Sequence, residues 1–426
     1  MPDSTSDDST VLGSRGPSRS IALGAIAIGV LLAVAPVIGS PYTSDDVINR
    51  TMPDVLRINH ETRWHFIIAT TSAWMENIHR FFPGAITFST FLFSTFTTRA
   101  SYKVFLFVLL AVVALLFALW LVRSIGASMS AIAVAALAAC WQFRYSVTFD
   151  GLTCFGGLLP WAIALMVATM ALLAKRPNRW QAAGMVLAVC LWALAVMTYE
   201  YTVILAPAVL ASLWLFDTAR RWRIGSAAVI VIGALAELVI SESLHSRLKG
   251  VRPADYVLNF KLGPWFTTTA KQLLGSIPMS QYWIPGPEHP ALRVTIPVVV
   301  ATVALSALLG AALIAAWRSA PVLERRRVLL LAGVGSWFWL APALLAGATL
   351  RWQLTEPWGQ AYIPVVFESL GVALVLVAGV AALKRQAING GRAASISTAA
   401  AMTLLMATGV AVALTAAANY LMMFAG

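Results

Sequence analysis

Charge is what this 426-residue chain has least of: Asp, Glu, Lys and Arg make up only 11% of it, against about a quarter in a soluble domain. That shortage excludes a water-facing globular surface. With 59% hydrophobic residues, the composition belongs to a chain that crosses a bilayer many times. Acid is the scarcer sign, with 18 Asp and Glu against 30 Lys and Arg and a formal net charge of +12. Such an excess would suit nucleic acid or anionic lipid. The basic residues decide between them, because they fall in short clusters between apolar runs, the pattern of topology signals beside anionic lipid. Nucleic acid is excluded as a partner. Cysteine is nearly absent: Cys140, Cys154 and Cys190 lie in or beside apolar segments at unrelated spacings, which excludes a disulfide framework and a zinc site.

What is present is hydrophobic length. Residues 1–19 are polar and rich in Ser and Asp, and read as a disordered cytoplasmic tail. The apolar run that follows is as long as a full span and lacks a small-x-small cleavage site, so it reads as a retained first helix. Residues 20–426 form one transmembrane domain. A span takes about 20 mostly apolar residues. The stretches 20–40, 102–123, 127–146, 154–174, 180–198, 202–217, 224–243, 295–317, 328–349, 361–383 and 394–420 qualify. The expected fold is therefore an all-α polytopic membrane protein with about eleven transmembrane helices.

Basic loops orient it. "KRPNR" (175–179), "RRWR" (220–223), "RSAPVLERRR" (318–327) and "KRQAINGGR" (384–392) fall on alternate connections, which places them and the N-terminus in the cytoplasm. Asp3, Asp7 and Asp8 lie in the tail, Asp217 and Glu324 in cytoplasmic connections, and the other acids on the outer side or within spans. Both long connections, 41–101 and 244–294, are also outer. Function is therefore expected on the outer face, where no nucleotide pool exists and an activated substrate must arrive on lipid or be driven by a gradient.

The first long connection carries helical periodicity. Trp64, Ile67, Ile68, Met75 and Ile78 form one apolar stripe within Glu61–Arg80, and "AITFSTFLFSTFTT" repeats it with Phe88, Phe91, Leu92 and Phe96. Both stretches read as interfacial helices, separated by Phe81-Phe82-Pro83-Gly84. In the second connection Pro264 opens a short helix through Leu274, and "IPGPEHP" reads as a turn or lid.

Carboxylates gather at the outer helix ends: Asp45 and Asp46 in "TSDD", Asp150 in "YSVTFDGLTC" and Glu200 in "MTYEYT". Such groups can deprotonate a hydroxyl, share a divalent cation through oxygen ligands, or cap helices. The cations of the same face are His79, Arg80, Arg144, Arg247, Lys249, Arg252, Lys261, Lys271 and Arg351. Arginine has the forked geometry for a lipid phosphate, although snorkelling to headgroups would place the same residues there. Glu237 and Glu368 lie inside spans, where ionisable groups are costly.

The order of these features resembles a known family. A first span leads to an outer acidic pair, then to two interfacial helices around "HRFFP", then "FDG", "YEY" and "WGQAYIPV". Together they look like the polytopic GT-C class of glycosyltransferases, most similar to the bacterial members that take sugar from a polyprenyl phosphate carrier. The likeness covers most of the chain as topology and only these short motifs as residues. It implies a first-loop catalytic acid at Asp45 or Asp46, with Asp150 and Glu200 as further candidates. It also implies a phosphate and substrate subsite near His79, Arg80, Arg351 and Tyr362, to which the outer-face cation Lys261 is added as a candidate. His79 stands where glycine is common in that family. The implied reaction is a single displacement onto a glycan, glycolipid or protein acceptor at the outer face of a bacterial cytoplasmic membrane. It requires no cofactor and no metal, while leaving room for a divalent cation. The rival expectations are a secondary transporter or flippase of lipid or envelope precursors, an O-antigen-type ligase or polymerase, and a structural subunit.

Overall fold

In a computed structural model the described residues are 17–43, 45–77, 80–144, 150–153, 155–174, 181–216, 218–247, 257–284, 292–360 and 363–424. The 1–16 part of the tail, "KRPNR", His79, most of "IPGPEHP" and Tyr362 lie outside them. The helices, in chain order, are α1 (Pro17–Val34), α2 (Asp45–Asn49), α3 (Met52–Ile58), α4 (Arg63–Asn77), α5 (Pro83–Thr95), α6 (Arg99–Cys140), α7 (Leu158–Leu173), α8 (Gln181–Thr198) and α9 (Tyr201–Ile204), followed by α10 (Ala206–Ser212), α11 (Arg220–Arg247), α12 (Leu262–Gly275), α13 (Ser280–Trp283), α14 (Ile296–Ser319), α15 (Arg325–Ala348), α16 (Leu350–Thr355), α17 (Val365–Ala387) and α18 (Gly391–Phe424). The β pairing among the described residues is a single isolated bridge, Leu258 to Thr349. Among the described residues seven helices are long and apolar enough to cross a membrane, and three shorter apolar ones accompany them, Leu158–Leu173, Ala182–Thr198 and Ala206–Leu215. Where no water can satisfy the backbone, a chain this apolar must satisfy it within helices. The protein is a multi-pass helical membrane protein.

Helix α6 covers 42 residues, Arg99–Cys140. A straight helix of that length would span about 63 Å, roughly twice a hydrocarbon core. It does not run straight. Lys103 near its start donates to the Thr153 carbonyl at 2.6 Å, and the backbone N–H of Arg144 just past its end reaches Asp150, which also accepts from the Thr153 hydroxyl at 2.8 Å. Both ends therefore meet at one place. The reversal is at Gly126, whose φ of 78° and ψ of 163° fall in a region open essentially to glycine alone. The two arms correspond to the stretches expected at 102–123 and 127–146, with the second arm ending at Cys140 and residues 141–144 outside any helix.

The bundle has two distinct ends. At one, the Gly126 turn lies beside Pro321. The Ser128 and Ser319 hydroxyls are 3.1 Å apart there, and Arg327 donates to the Ser124 carbonyl. Lys384 and Arg385 cap carbonyls of Trp317, Arg318 and Leu323, and Trp222 donates to Leu173. The basic connections 220–223, 318–327 and 384–392 thus gather at one end. The opposite end holds α2–α5, the 150–157 turn, α12, α13 and α16. Between the ends, α17 packs on α15, α6 and α18, α14 packs on α18 and α1, and α7 packs on α6 and α8. A side chain at Gly371 would meet the Gly335 carbonyl and the Trp339 N–H, so bare backbone sets the close α15–α17 approach.

The first long connection departs from expectation in detail. Two short helices, α2 and α3, precede the two expected ones. α4 buries only Ile67 of its predicted stripe, and Trp64 and Ile68 face outward. α5 is packed and not merely laid on an interface: Ala85, Thr90, Leu92 and Phe93 are buried. Phe88 stacks on Trp161 at 4.9 Å, and Phe96 lies 4.9 Å from Phe105. The stretch expected to span at 202–217 is broken into α9, α10 and a 3-10 turn.

Candidate functional site

The adjacent aspartates of α2 have opposite environments. Asp46 is completely buried. Its Oδ2 accepts from the Tyr102 hydroxyl at 2.6 Å and lies 3.6 Å from the Lys103 ammonium, which is equally buried. Its Oδ1 accepts from the Gly156 N–H at 2.6 Å. Gly156 can turn that N–H inward because it adopts φ of 61°, and a Cβ there would crowd Phe93. Burial raises the Asp46 carboxyl above its ordinary value, while Lys103, Tyr102 and Gly156 hold it down. Asp45 is exposed and makes no hydrogen bond or ion pair with the described residues. Surrounding protein still strips enough water from it to raise its carboxyl above the ordinary 3.8. Beside the pair, Tyr42 stacks on Tyr102 at 5.7 Å, and the Arg50 guanidinium lies over Tyr42.

Asp150 was expected to present its carboxylate at the outer face. It is buried instead, accepting from the Leu152 N–H at 2.9 Å, the Thr153 hydroxyl at 2.8 Å and the Arg144 N–H at 3.3 Å. Burial raises its carboxyl and those hydrogen bonds oppose the rise. The arrangement is a side chain closing its own turn, and the geometry assigns Asp150 to anchoring. Asp46 is likewise buried, with both oxygens engaged by Tyr102, Gly156 and Lys103.

These anchors join. Asp46 faces Lys103, Lys103 donates to Thr153, Thr153 donates to Asp150, and Asp150 meets Arg144. The buried Arg144 guanidinium then donates to the Gly275 carbonyl at 2.6 Å, and to the Ser280 hydroxyl and Gly359 carbonyl at 3.3 Å each. One polar chain thus ties α2, both arms of α6, the 150–157 turn, the end of α12, α13 and the 356–360 loop. Glu356 and Glu368 lie within electrostatic reach of Arg144, and Lys271 donates to the Glu356 carbonyl at 2.7 Å. Sequence reasoning overlooked Tyr102 and Lys103. A lysine at the very start of an apolar span was the available signal.

Arg80 and Glu200, expected separately, come together. Nε and Nη2 of Arg80 donate to the two Glu200 oxygens at 3.2 and 2.6 Å. The guanidinium lies 4.0 Å above the Phe82 ring, and Phe82 stacks on Tyr199, which stacks on Tyr201 and Phe367. Two of the five Arg80 N–H donors are thus committed to Glu200. Lys261 and Arg351 form a third station. The Lys261 N–H donates to the Asn259 side chain, whose amide donates to Gln353 at 2.6 Å, and Arg351 lies over Trp352. The structure therefore divides the expected residues among three places: the Asp45 shelf, the Arg80–Glu200 pair at the other end of α5, and the α12–α16 station.

No family model, curated protein or solved structure matches the chain. The chemistry must be read from geometry alone. Among the described residues no group of three or more His, Cys, Asp or Glu side chains is placed to hold a metal ion.

Proposed function

We propose that the protein is a membrane glycosyltransferase that moves a sugar from a polyprenyl phosphate carrier to a glycan, glycolipid or protein acceptor, with Asp45 as general base. The observation that carries this reading is the division within the acidic pair. Asp46 is spent on Tyr102, Gly156 and Lys103, whereas Asp45 is unpartnered among the described residues and desolvated. A carboxylate raised towards the working pH is a better base than one fully hydrated. The leaving lipid phosphate needs cations, and Lys261 and Arg351 supply them on an exposed edge. The reading takes the chain to cross eleven times: the seven long helices, the second arm behind Gly126, and the three shorter apolar helices. The long connections then face outward. No metal enters the scheme, though a divalent cation beside the phosphate is compatible with it.

The test is transfer by the nanodisc-held protein, offered a panel of radiolabelled polyprenyl-phosphate sugars and membrane glycolipid extract. Asp45→Asn should abolish transfer while leaving donor binding intact. Transfer that survives this substitution refutes the assignment. The buried Glu237 and Glu368 within α11 and α17 favour a second reading, a transporter or flippase. It predicts lipid-precursor translocation in sealed liposomes that requires these two residues and is indifferent to Asp45.

A further inference from the structure

Beside Lys261 and Arg351, the cations assigned to the carrier's lipid phosphate, the start of α12 carries an apolar surface that the proposed chemistry does not use. Leu258, Phe260, Leu262, Phe266 and Leu354 are between 47% and 78% exposed, too many large apolar side chains in one place for water. They are not on a loose loop. The Asn259 N–H donates to Ala348 at 2.7 Å and the Leu350 N–H to Val257 at 2.9 Å. Gln353 donates to the Asn259 and Gly347 carbonyls at 2.6 and 2.8 Å. Trp265 donates to Leu344 at 2.9 Å and makes ring contacts at 5.5 Å with both Phe260 and Phe266. Along α12 the face made by Trp265, Thr268, Thr269 and Gln272 turns inward, while Leu262 and Phe266, one turn apart, point away. The result is a rigid apolar knuckle.

Its charge has one sign. Lys261 is exposed at its crown and Arg351 flanks it, while neither α12 nor α16 contains an acid, and Glu356 just past α16 is buried. α12 is too short and too polar to cross a bilayer, and it packs across the last turn of α15, a long apolar helix of the bundle. Rigid apolar side chains level with the end of a spanning helix, bordered by cations, have the composition of an interfacial anchor.

We propose that this knuckle seats in the headgroup layer of the adjacent leaflet, with Phe260, Leu262, Phe266 and Leu354 at the acyl boundary and Lys261 and Arg351 on anionic lipid phosphates. The seat fixes α12, and through its end at Gly275 the carbonyl that holds Arg144, at a set depth in the membrane. The inference rests on the membrane architecture and not on the glycosyltransferase reading.

The experiment uses the full chain with Cys140, Cys154 and Cys190 replaced by Ala, in nanodiscs of phosphatidylcholine with or without phosphatidylglycerol. A nitroxide is attached at Phe266→Cys or, independently, at Leu354→Cys. The exposed loop position Asn389→Cys, at the opposite end of the bundle, is the aqueous control. Collision with oxygen and with a water-soluble nickel chelate is measured by power saturation. Seating predicts an oxygen-to-nickel collision ratio several-fold above the control at both positions. It also predicts a rise on adding phosphatidylglycerol, and loss of that rise in Lys261→Gln. Nickel accessibility equal to the control overturns the proposal. So does screening from both reagents, which would mean that a second protein copy covers the surface. A ratio indifferent to phosphatidylglycerol overturns the assignment of Lys261 to anionic phosphate.

Discussion

Replacing Asp46 should unfold the site before it touches any chemistry. The carboxylate and the Lys103 ammonium are both completely buried, 3.6 Å apart, so removing one partner leaves the other charge where water cannot reach it. That loss costs about 3–5 kcal/mol. The Tyr102 hydroxyl and Gly156 N–H lose their acceptor as well, at about 1–3 kcal/mol each, and the terms overlap because all three donors share one group. Asp46→Ala should therefore cost several kcal/mol. Asp46→Asn, which keeps one acceptor oxygen, should cost less. Lys103→Met in the Asn background should restore part of the loss, because the stranded charge is then gone. The assay is thermal unfolding of the nanodisc-held protein, combined into a double-mutant cycle of Asp46→Asn and Lys103→Met. A coupling indistinguishable from zero, or an Asp46→Ala protein as stable as the parent, would refute the buried pair and with it the anchoring role of Asp46.

Other expectations follow from the same geometry. Asp45→Asn should change stability by no more than about 0.5 kcal/mol, as for an exposed side chain without partners. In the parent protein the acid limb of kcat/KM for transfer should sit above the ordinary 3.8 of a carboxylate. The stability sign is opposite: a carboxyl raised in the fold contributes fully below its unfolded value, and that contribution is lost as pH rises through the folded value, which unfolding at a series of pH values would read. The Arg80–Glu200 pair is 17% and 40% exposed, so Arg80→Ala should cost only about 0.2–1 kcal/mol after solvent screening, with the loss shrinking in high salt. Gly126→Ala forces a side chain into the reversal between the α6 arms and should cost about 1–3 kcal/mol; an unchanged midpoint would contradict the folded-back geometry.

Much of the membrane architecture was legible because a bilayer leaves a chain few choices. An apolar run long enough to cross must be helical, and α1, α14, α15, α17 and α18 fall within a few residues of where hydrophobic length placed them. The reversal inside α6 was legible too, because Arg123 and Gly126 interrupt an otherwise continuous apolar stretch. The stretch at 202–217 has the hydropathy of a span, but hydropathy did not show that Pro207 and its neighbours break it into short helical pieces. At the candidate site, the sign of the charges was readable and their partnership was not. Nothing in "TSDD" says which aspartate turns inward. That depends on Tyr102 and Lys103, more than fifty residues later, and on Gly156 beyond them. Asp150 carried a readable clue, a threonine three residues on that bonds it, but a turn-closing aspartate and a catalytic one look alike without depth.

In "TSDD" the structure shows Asp46 as a long-range anchor, its oxygens taken by Tyr102 and Gly156. α2 is five residues long, too short to stand alone as a helix in water. Its position is set by what Asp46 grips: an α6 tyrosine and lysine on one side and the Gly156 N–H on the other. Were Asp46 absent, Asp45 would sit on an untethered turn, and under the proposed base role a displacement of even about 1 Å would cost about a hundredfold in rate. The buried residue thus gives the exposed one a fixed address. Because the grip continues through Thr153, Asp150 and Arg144 to Gly275 and Gly359, the address is referenced to the far side of the same end of the bundle, where Lys261 and Arg351 wait on α12 and α16. The proposed base and phosphate clamp, carried on separate elements, could act on one substrate only if their spacing is held, and the buried polar chain ties the Asp46 grip beside the one to the Gly275 end of α12, the helix that begins at the other.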